Sequence, residues 1–412
     1  MSTLTSSSRP AFTTAPVDSG NRSQYNLPIG YLRAFVTVLV LAFHSVLAYD
    51  PDAPQAAHSL LIRPLWWTAF PVVDAHRWSG FRLFVGFNDT FFMSLMFFLS
   101  GLFVWDSVER KGTSTFLRDR ALRLGVPFVI AAAVVAPLAY YPAYLQTAGP
   151  HSVGGYLHEW LSLGEWPAGP AWFVWVLLAF DCFAAALFSI APRAGKVLAS
   201  VSADAANRPA RLFCLLVVVS GVAYIPMAMA FNPFRWSTFG PFYFQTSRIL
   251  HYGVYFLAGI SVGAFGLDRG LLAPAGKLAR RWWLWGIKAL GAFGFAMIAA
   301  IVAITSYSHA PRLAVVLGGS GFVLSCAASC FAFLAFFVRF VQRPNRVSDS
   351  LRDNAYGMYL IHYVFVSWVQ YSLLQFLLPG LVKGIMAFAA VLALSVVTTA
   401  ALRRVPAVAR VI

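Results

Sequence analysis

The first residues able to do chemistry stand in Tyr31-Leu32-Arg33-Ala34-Phe35 and, further along the same apolar stretch, Ala42-Phe43-His44-Ser45. Arg33 and His44 are eleven residues apart. On a helix that spacing turns through about 1100°, within ~20° of three full turns, so both side chains share one face ~16 Å apart along the axis. A guanidinium at one end of such a face can hold an anion, and an imidazole at the other can serve as a general base near neutral pH. Each residue also has a structural reading. Arg33 can snorkel to a membrane interface, and His44 can be hydrogen-bonded to a neighbouring helix.

Further candidates follow along the chain. In Arg118-Asp119-Arg120-Ala121-Leu122-Arg123-Leu124-Gly125-Val126-Pro127, Arg120 and Arg123 are helix-face neighbours. They can clamp a phosphorylated ligand, or carry orienting charge and touch lipid headgroups. Asp181, in Phe180-Asp181-Cys182, is a carboxylate near the middle of an apolar run. It needs a partner, His44 or Arg248, or it takes up a proton. In Ala355-Tyr356-Gly357-Met358-Tyr359-Leu360-Ile361-His362, Tyr359 and His362 are three apart and can both face a bundle interior. Phe97-Phe98-Leu99-Ser100-Gly101 carries a Ser-Gly step suited to close helix approach. Ser100 lacks the Gly-x-Ser-x-Gly setting of a nucleophile elbow. Cys326 and Cys330, four apart, read as small packing residues with no His or acid beside them in sequence, so no metal is expected.

The elements that position these residues are legible in the composition. Of 412 residues, 59% are hydrophobic and 11% charged, against about 25% charged in a soluble domain. The apolar residues form long blocks, which excludes an ordinary soluble enzyme, and the ten-residue alternation of an outer-membrane barrel is absent. Ten spans are expected, over 29–49, 84–106, 121–142, 170–191, 211–231, 248–266, 282–305, 314–340, 355–378 and 381–402. The fold class is therefore an all-α polytopic membrane helix bundle. The net charge of +16 lies mainly in alternate connections, so it reads as positive-inside orientation rather than nucleic-acid binding, with both termini cytoplasmic. Residues 1–26 read as a disordered polar cytoplasmic tail rather than a signal peptide, 27–403 as one membrane domain, and 404–412 as a short cytoplasmic tail. Trp66-Trp67 and the run Trp166 to Trp172 lie in the opposite connections, as interfacial aromatics or as a sugar-stacking surface.

Four motifs in order resemble the acyltransferase family 3 of integral membrane O-acyltransferases. They are Arg33-x10-His44, Phe97-Phe98-Leu99-Ser100-Gly101, Arg120-x-x-Arg123 followed by Pro127, and Ala355 to His362. The resemblance covers roughly 28–378. The segment Phe92 to Leu102 leans toward the glucan biosynthesis protein C branch, which is associated with succinylating periplasmic glucans. In one respect the chain departs from the family: many members have an Asp before the Phe-Phe pair, where this chain has Ser94. Asp89 and Asp181 are the candidates to replace it.

The resemblance implies a multi-pass protein of the bacterial inner membrane. It implies transfer of an acetyl or succinyl group from a cytoplasmic acyl-CoA to a hydroxyl of an extracytoplasmic or membrane-delivered glycan, with no metal. An extended pantetheine arm is on the order of 15–20 Å, comparable with the axial separation of Arg33 and His44. In this scheme Arg33, Arg120 and Arg123 hold the donor phosphates. His44 is the base or is transiently acylated, and Asp181, Tyr359 or His362 orients it or steadies the oxyanion. A succinyl chain would call for one more cation, for which Arg248 is the candidate. The rival reading is a transporter or flippase of a glycan or acyl precursor, followed by a non-catalytic membrane partner of a glycan synthase.

Overall fold

Inside hydrocarbon a backbone has no water to bond, so long apolar runs resolve into helices that satisfy their own N–H and C=O groups. The computed structural model describes residues 27–411, so the tail expected over 1–26 and residue Ile412 lie outside the described residues. Ten long helices follow in order. They are α1 (Leu27–Val46), α2 (Gly80–Gly101), α3 (Thr113–Leu145), α4 (Trp172–Ile190), α5 (Pro209–Phe231), α6 (Ile249–Phe265), α7 (Trp282–Ser306), α8 (Pro311–Phe340), α9 (Arg346–Leu373) and α10 (Gly380–Leu402). Among the described residues, nine helical segments are long and apolar enough to cross a membrane, and α9 is the helix left out.

The expected ninth span, 355–378, thus falls on a helix that ends earlier and is far more polar than a lipid-facing segment. Its 28 residues begin with Arg346, Asp349, Arg352 and Asp353 and bury Asn354, His362 and Gln370. It packs against α1, α3 and α10, so its polar groups meet protein rather than lipid. Arg33 near the start of α1 and Arg410 beyond α10 line one cavity. The two ends of the described chain therefore lie at the same end of the bundle.

Helix α2 is the hub. Some 78% of its apolar window is buried, against 22% in α7 and α10, which turn most of their surface outward. Its crossing with α6 is set by glycine. A Cβ on Gly101 would stand 2.2 Å from the Phe256 carbonyl oxygen, one on Gly259 2.1 Å from that of Phe98, and one on Gly263 1.9 Å from that of Leu102. The Ser100-Gly101 step is therefore half of a small-residue contact whose other half is Gly259-x-x-x-Gly263.

Helix α3 is bent by its prolines. Proline lacks an N–H, and its ring crowds the carbonyl four residues earlier. Ahead of Pro127 and Pro137 the chain widens into π turns, Ala121–Gly125 and Ala131–Val135. The carbonyls left without a helical donor by Pro137 and by Pro142, which lies inside the α-helical last part of the helix, find side-chain donors. Trp166 Nε1 donates to the Ala132 oxygen at 2.7 Å and Trp368 Nε1 to the Leu138 oxygen at 3.0 Å.

The connections carry little regular structure beyond short helices and one hairpin, β1 (Trp236–Phe239) against β2 (Phe242–Gln245). The α1–α2 connection is pinned to α10 by a buried ion pair, Lys383 Nζ to Asp74 Oδ2 at 2.5 Å. Asp74 Oδ1 also accepts the His76 backbone N–H at 2.7 Å. Lys383→Ala strands the buried carboxylate and should cost about 3–5 kcal/mol. Thermal unfolding of the detergent-solubilised protein checks this, and Lys383→Ala with Asp74→Ala should recover most of the loss.

Candidate active site

At one end of the bundle α1, α2, α3, α4, the end of α6 and α9 line an open cavity of about 1260 Å³, together with residues from the segments 102–111 and 266–269. Arg33, Arg120, Arg123, Asp181, Tyr359 and Ser100 all line it. The three arginines, 90 residues apart in sequence at the extremes of Arg33 and Arg123, are thus brought onto one space. The Arg33 guanidinium lies 5.7 Å from the ring centre of Phe103, and Arg120 lies 5.0 Å from that of Phe116. Ser100 bonds back to the Met96 carbonyl at 2.8 Å, as a helix hydroxyl commonly does.

Asp181 is fully buried and pairs with Arg120 at 3.2 Å. The expected partners, His44 and Arg248, are both replaced. Asp181 sits on the face of α4 that packs along the start of α3, which brings Arg120 to it. Arg248 is committed elsewhere, with its two terminal nitrogens 3.0 and 2.6 Å from the Asp89 carboxylate oxygens and its guanidinium 4.7 Å from the Phe322 ring centre. It is neutralised and so unsuited to receive a second carboxylate. For the same reason Asp89 is unavailable to replace the acid missing at Ser94. Arg33 differs from both, because among the described residues it forms no ion pair. Arg410, in the segment expected to be a plain tail, reaches the cavity rim.

Deeper in the bundle, α1 and α9 bring His44 and His362 together, 318 residues apart in sequence, with His44 Nδ1 3.3 Å from His362 Nε2. Their tautomers follow from their neighbours. His362 Nδ1 is 2.7 Å from the Tyr359 carbonyl oxygen, which can only accept, so Nδ1 carries the proton and, in the neutral ring, Nε2 is an acceptor. His44 Nδ1 faces that acceptor and the Val40 carbonyl oxygen at 2.9 Å, so it also carries the proton. The lone pair left over is on His44 Nε2. The pair is therefore wired as a base supported from behind, with His362 in the place a carboxylate often takes.

Two supporting groups, Gln370 and Tyr363, lie outside the motifs read from the sequence, and Tyr359 lies within one. Gln370 Nε2 donates to the carbonyls of His44 at 2.9 Å and Ser45 at 3.0 Å, where α1 tightens into a 3₁₀ turn over Leu47–Tyr49. This fixes the turn that carries the imidazole. Tyr363 lies edge-on to His44 at 5.3 Å between ring centres, and its hydroxyl donates to the Thr68 carbonyl at 3.2 Å. The Tyr359 hydroxyl donates to the Pro170 carbonyl, so it braces α9 against the start of α4. Tyr359, Tyr363 and Gln370 stand at i, i+4 and i+11, a polar stripe on one helix face that was readable in principle.

The cavity stops short of the imidazoles. On α1 its last lining residue is Thr37, seven residues or ~10 Å before His44. On α9 it is Tyr359, whose carbonyl holds His362.

Among the described residues, no group of three or more His, Cys, Asp or Glu side chains is arranged to hold a metal ion. The two small cysteines of α8 do have a histidine beside them in space, with His251 Nε2 3.5 Å from Cys326 Sγ. No reading within one helix could show this contact, since His251 is on α6.

Compared with known proteins, the chain matches the model of an acyltransferase domain over residues 27–404, nearly its whole length, whereas no curated protein and no solved structure matches it. The match covers every helix that contributes to the cavity and to the histidine pair, and with it the chain belongs to the acyltransferase 3 family of multi-pass membrane O-acyltransferases.

Proposed function

We propose that the protein takes an acyl group from a cytoplasmic acyl-CoA, acetyl or succinyl, and transfers it to a hydroxyl of a glycan reached from the other side of the membrane. The observation that carries this reading is the cavity. It opens at the arginine-rich end of the bundle, is large enough for a nucleotide-containing donor, and offers Arg33, which has no counter-ion among the described residues. The connections at that end are the basic ones, which the positive-inside rule assigns to the cytoplasm of a bacterial inner membrane. Arg33, Arg120 and Arg123 hold phosphates there, and the thin pantetheine arm passes Tyr359 toward the imidazoles.

At the opposite end a pocket of about 200 Å³ is lined by Gln55, His58, Arg63, Trp66, Trp67 and Phe70. Trp66 is 57% exposed, which suits stacking on a sugar face. The neighbouring Thr68 carbonyl accepts the hydroxyls of Tyr140 and Tyr363, and Tyr363 touches His44. The imidazole pair thus lies between the two openings.

In the reaction, His44 Nε2 removes the proton of the acceptor hydroxyl as its oxygen attacks the thioester carbonyl. The charge on the imidazolium is met by the His362 Nε2 lone pair. The C–S bond then breaks, an ester forms, and the proton on His44 returns to the departing thiolate.

Titration calorimetry of the purified protein with CoA should show binding that Arg33→Ala weakens. Mass spectra of envelope glycans from a deletion strain should regain one acyl increment per modified sugar when the wild-type protein is restored, and the increment names the acyl group. A glycan or acyl precursor crossing reconstituted vesicles without covalent change would instead establish the transporter reading.

A further inference from the structure

The arginine-bearing turn of α3 contains a third proline-released carbonyl. In an ordinary α-helix the Arg123 oxygen would accept from the N–H of residue 127, and residue 127 is proline. The turn before it is already widened, with the Val126 N–H reaching back to Ala121. The donor that meets the Arg123 oxygen comes from another helix: the Tyr356 hydroxyl of α9, at 2.6 Å. Tyr356 also lines the cavity beside Arg120 and Arg123.

We propose that Tyr356 is a positioning residue for the donor-binding arginines, holding the widened turn that carries Arg123 against α9, the helix that also carries His362. The proposal rests on the reading of the arginine cavity as the donor site. Six residues separate Tyr356 from His362, ~9 Å along one continuous helix. The hydroxyl therefore ties the Arg123 turn to the helix that carries the imidazole pair, at the phosphate-holding end.

The other two proline-released carbonyls of α3 show that the device is separable from donor binding. Trp166 and Trp368 serve the Ala132 and Leu138 oxygens, and neither indole lines the cavity. Each makes the same kind of bond to a carbonyl that a proline leaves without its helical donor, with no arginine attached. A contact that only repaired the backbone would behave alike at Tyr356 and at Trp368.

Tyr356→Phe removes the hydroxyl and keeps the ring. The Kd for CoA should rise about five- to tenfold, while kcat at saturating acyl-CoA changes less than about twofold. Trp368→Phe should leave the Kd for CoA within about twofold. Pro127→Ala supplies the missing N–H at 127, so the Arg123 oxygen gains an ordinary helical partner and the turn contracts. The Kd for CoA should then rise whatever residue 356 is, and Tyr356→Phe added to Pro127→Ala should bring less than about twofold more. That non-additivity separates positioning through the Arg123 carbonyl from direct contact between the Tyr356 hydroxyl and CoA.

Full additivity of the two changes would overturn the proposal, as would an unchanged Kd in Tyr356→Phe. An equal rise in Trp368→Phe would overturn it too, by reducing the bond to general backbone repair. Arg33→Ala and Arg123→Ala are measured in parallel. If neither weakens CoA binding, the donor reading itself fails. If they do and Tyr356→Phe does not, only the positioning role fails.

Discussion

His44→Ala should lower acyl transfer about 10²–10⁴-fold at matched membrane abundance. The reason lies in the wiring of the histidine pair. Two carbonyl acceptors, from Val40 and Tyr359, draw both Nδ1 protons away from His44 Nε2. The free lone pair is therefore on the ring of His44 and on no other group of the pair. His362 holds that tautomer and meets the imidazolium, so His362→Gln, which keeps an acceptor oxygen, should retain more activity than His362→Ala. Replacing Gln370 acts one step further out, by freeing the carbonyls of the turn that carries His44. Glycan mass spectra of complemented deletion strains, with the variants brought to equal abundance, read all of these. Full restoration of the acyl increment by His44→Ala would remove the residue from the chemistry.

Removing the Arg120 guanidinium should have two separable consequences. It leaves Asp181 buried without its counter-charge, which should cost about 3–5 kcal/mol of stability, and it takes one cation from the donor cavity. Arg120→Ala with Asp181→Asn keeps the carboxylate from being stranded. That double variant should recover most of the thermal stability and still bind CoA weakly. Arg33→Ala is the complementary case. Arg33 has no ion-pair partner to strand among the described residues, so stability should move little while CoA affinity falls. Thermal unfolding and CoA titration on the same preparations check both expectations. Equal destabilisation by Arg33→Ala and Arg120→Ala would show that Arg33 is a structural ion after all.

Arg33 and His44 were readable together because both lie on α1, and a helix period fixes which side chains share a face. The same holds for Tyr359 and His362 on α9. The bundle was readable because apolar blocks of spanning length have one low-energy answer in hydrocarbon. Helix α9 was readable as a helix, but its polar content put it below the apolarity of the other nine, since protein surrounds it.

Partners on different helices were beyond that reach. Asp181 had two plausible cations in sequence and took a third, Arg120, because of where α4 crosses the start of α3. Arg248 had the charge for a dicarboxylic acyl chain and spends it on Asp89. Periodicity reports an angle around one helix axis. It says nothing about which neighbour stands at that angle, and neighbours are chosen by the glycine contacts between α2 and α6, the proline-widened turns of α3 and the ion pair that ties the α1–α2 connection to α10. The chain's order of residues thus settled the membrane bundle, the faces of α1 and α9 and the family motifs. The meeting of His44 with His362, 318 residues apart, and the pairing of Asp181 with Arg120 came from helix crossings.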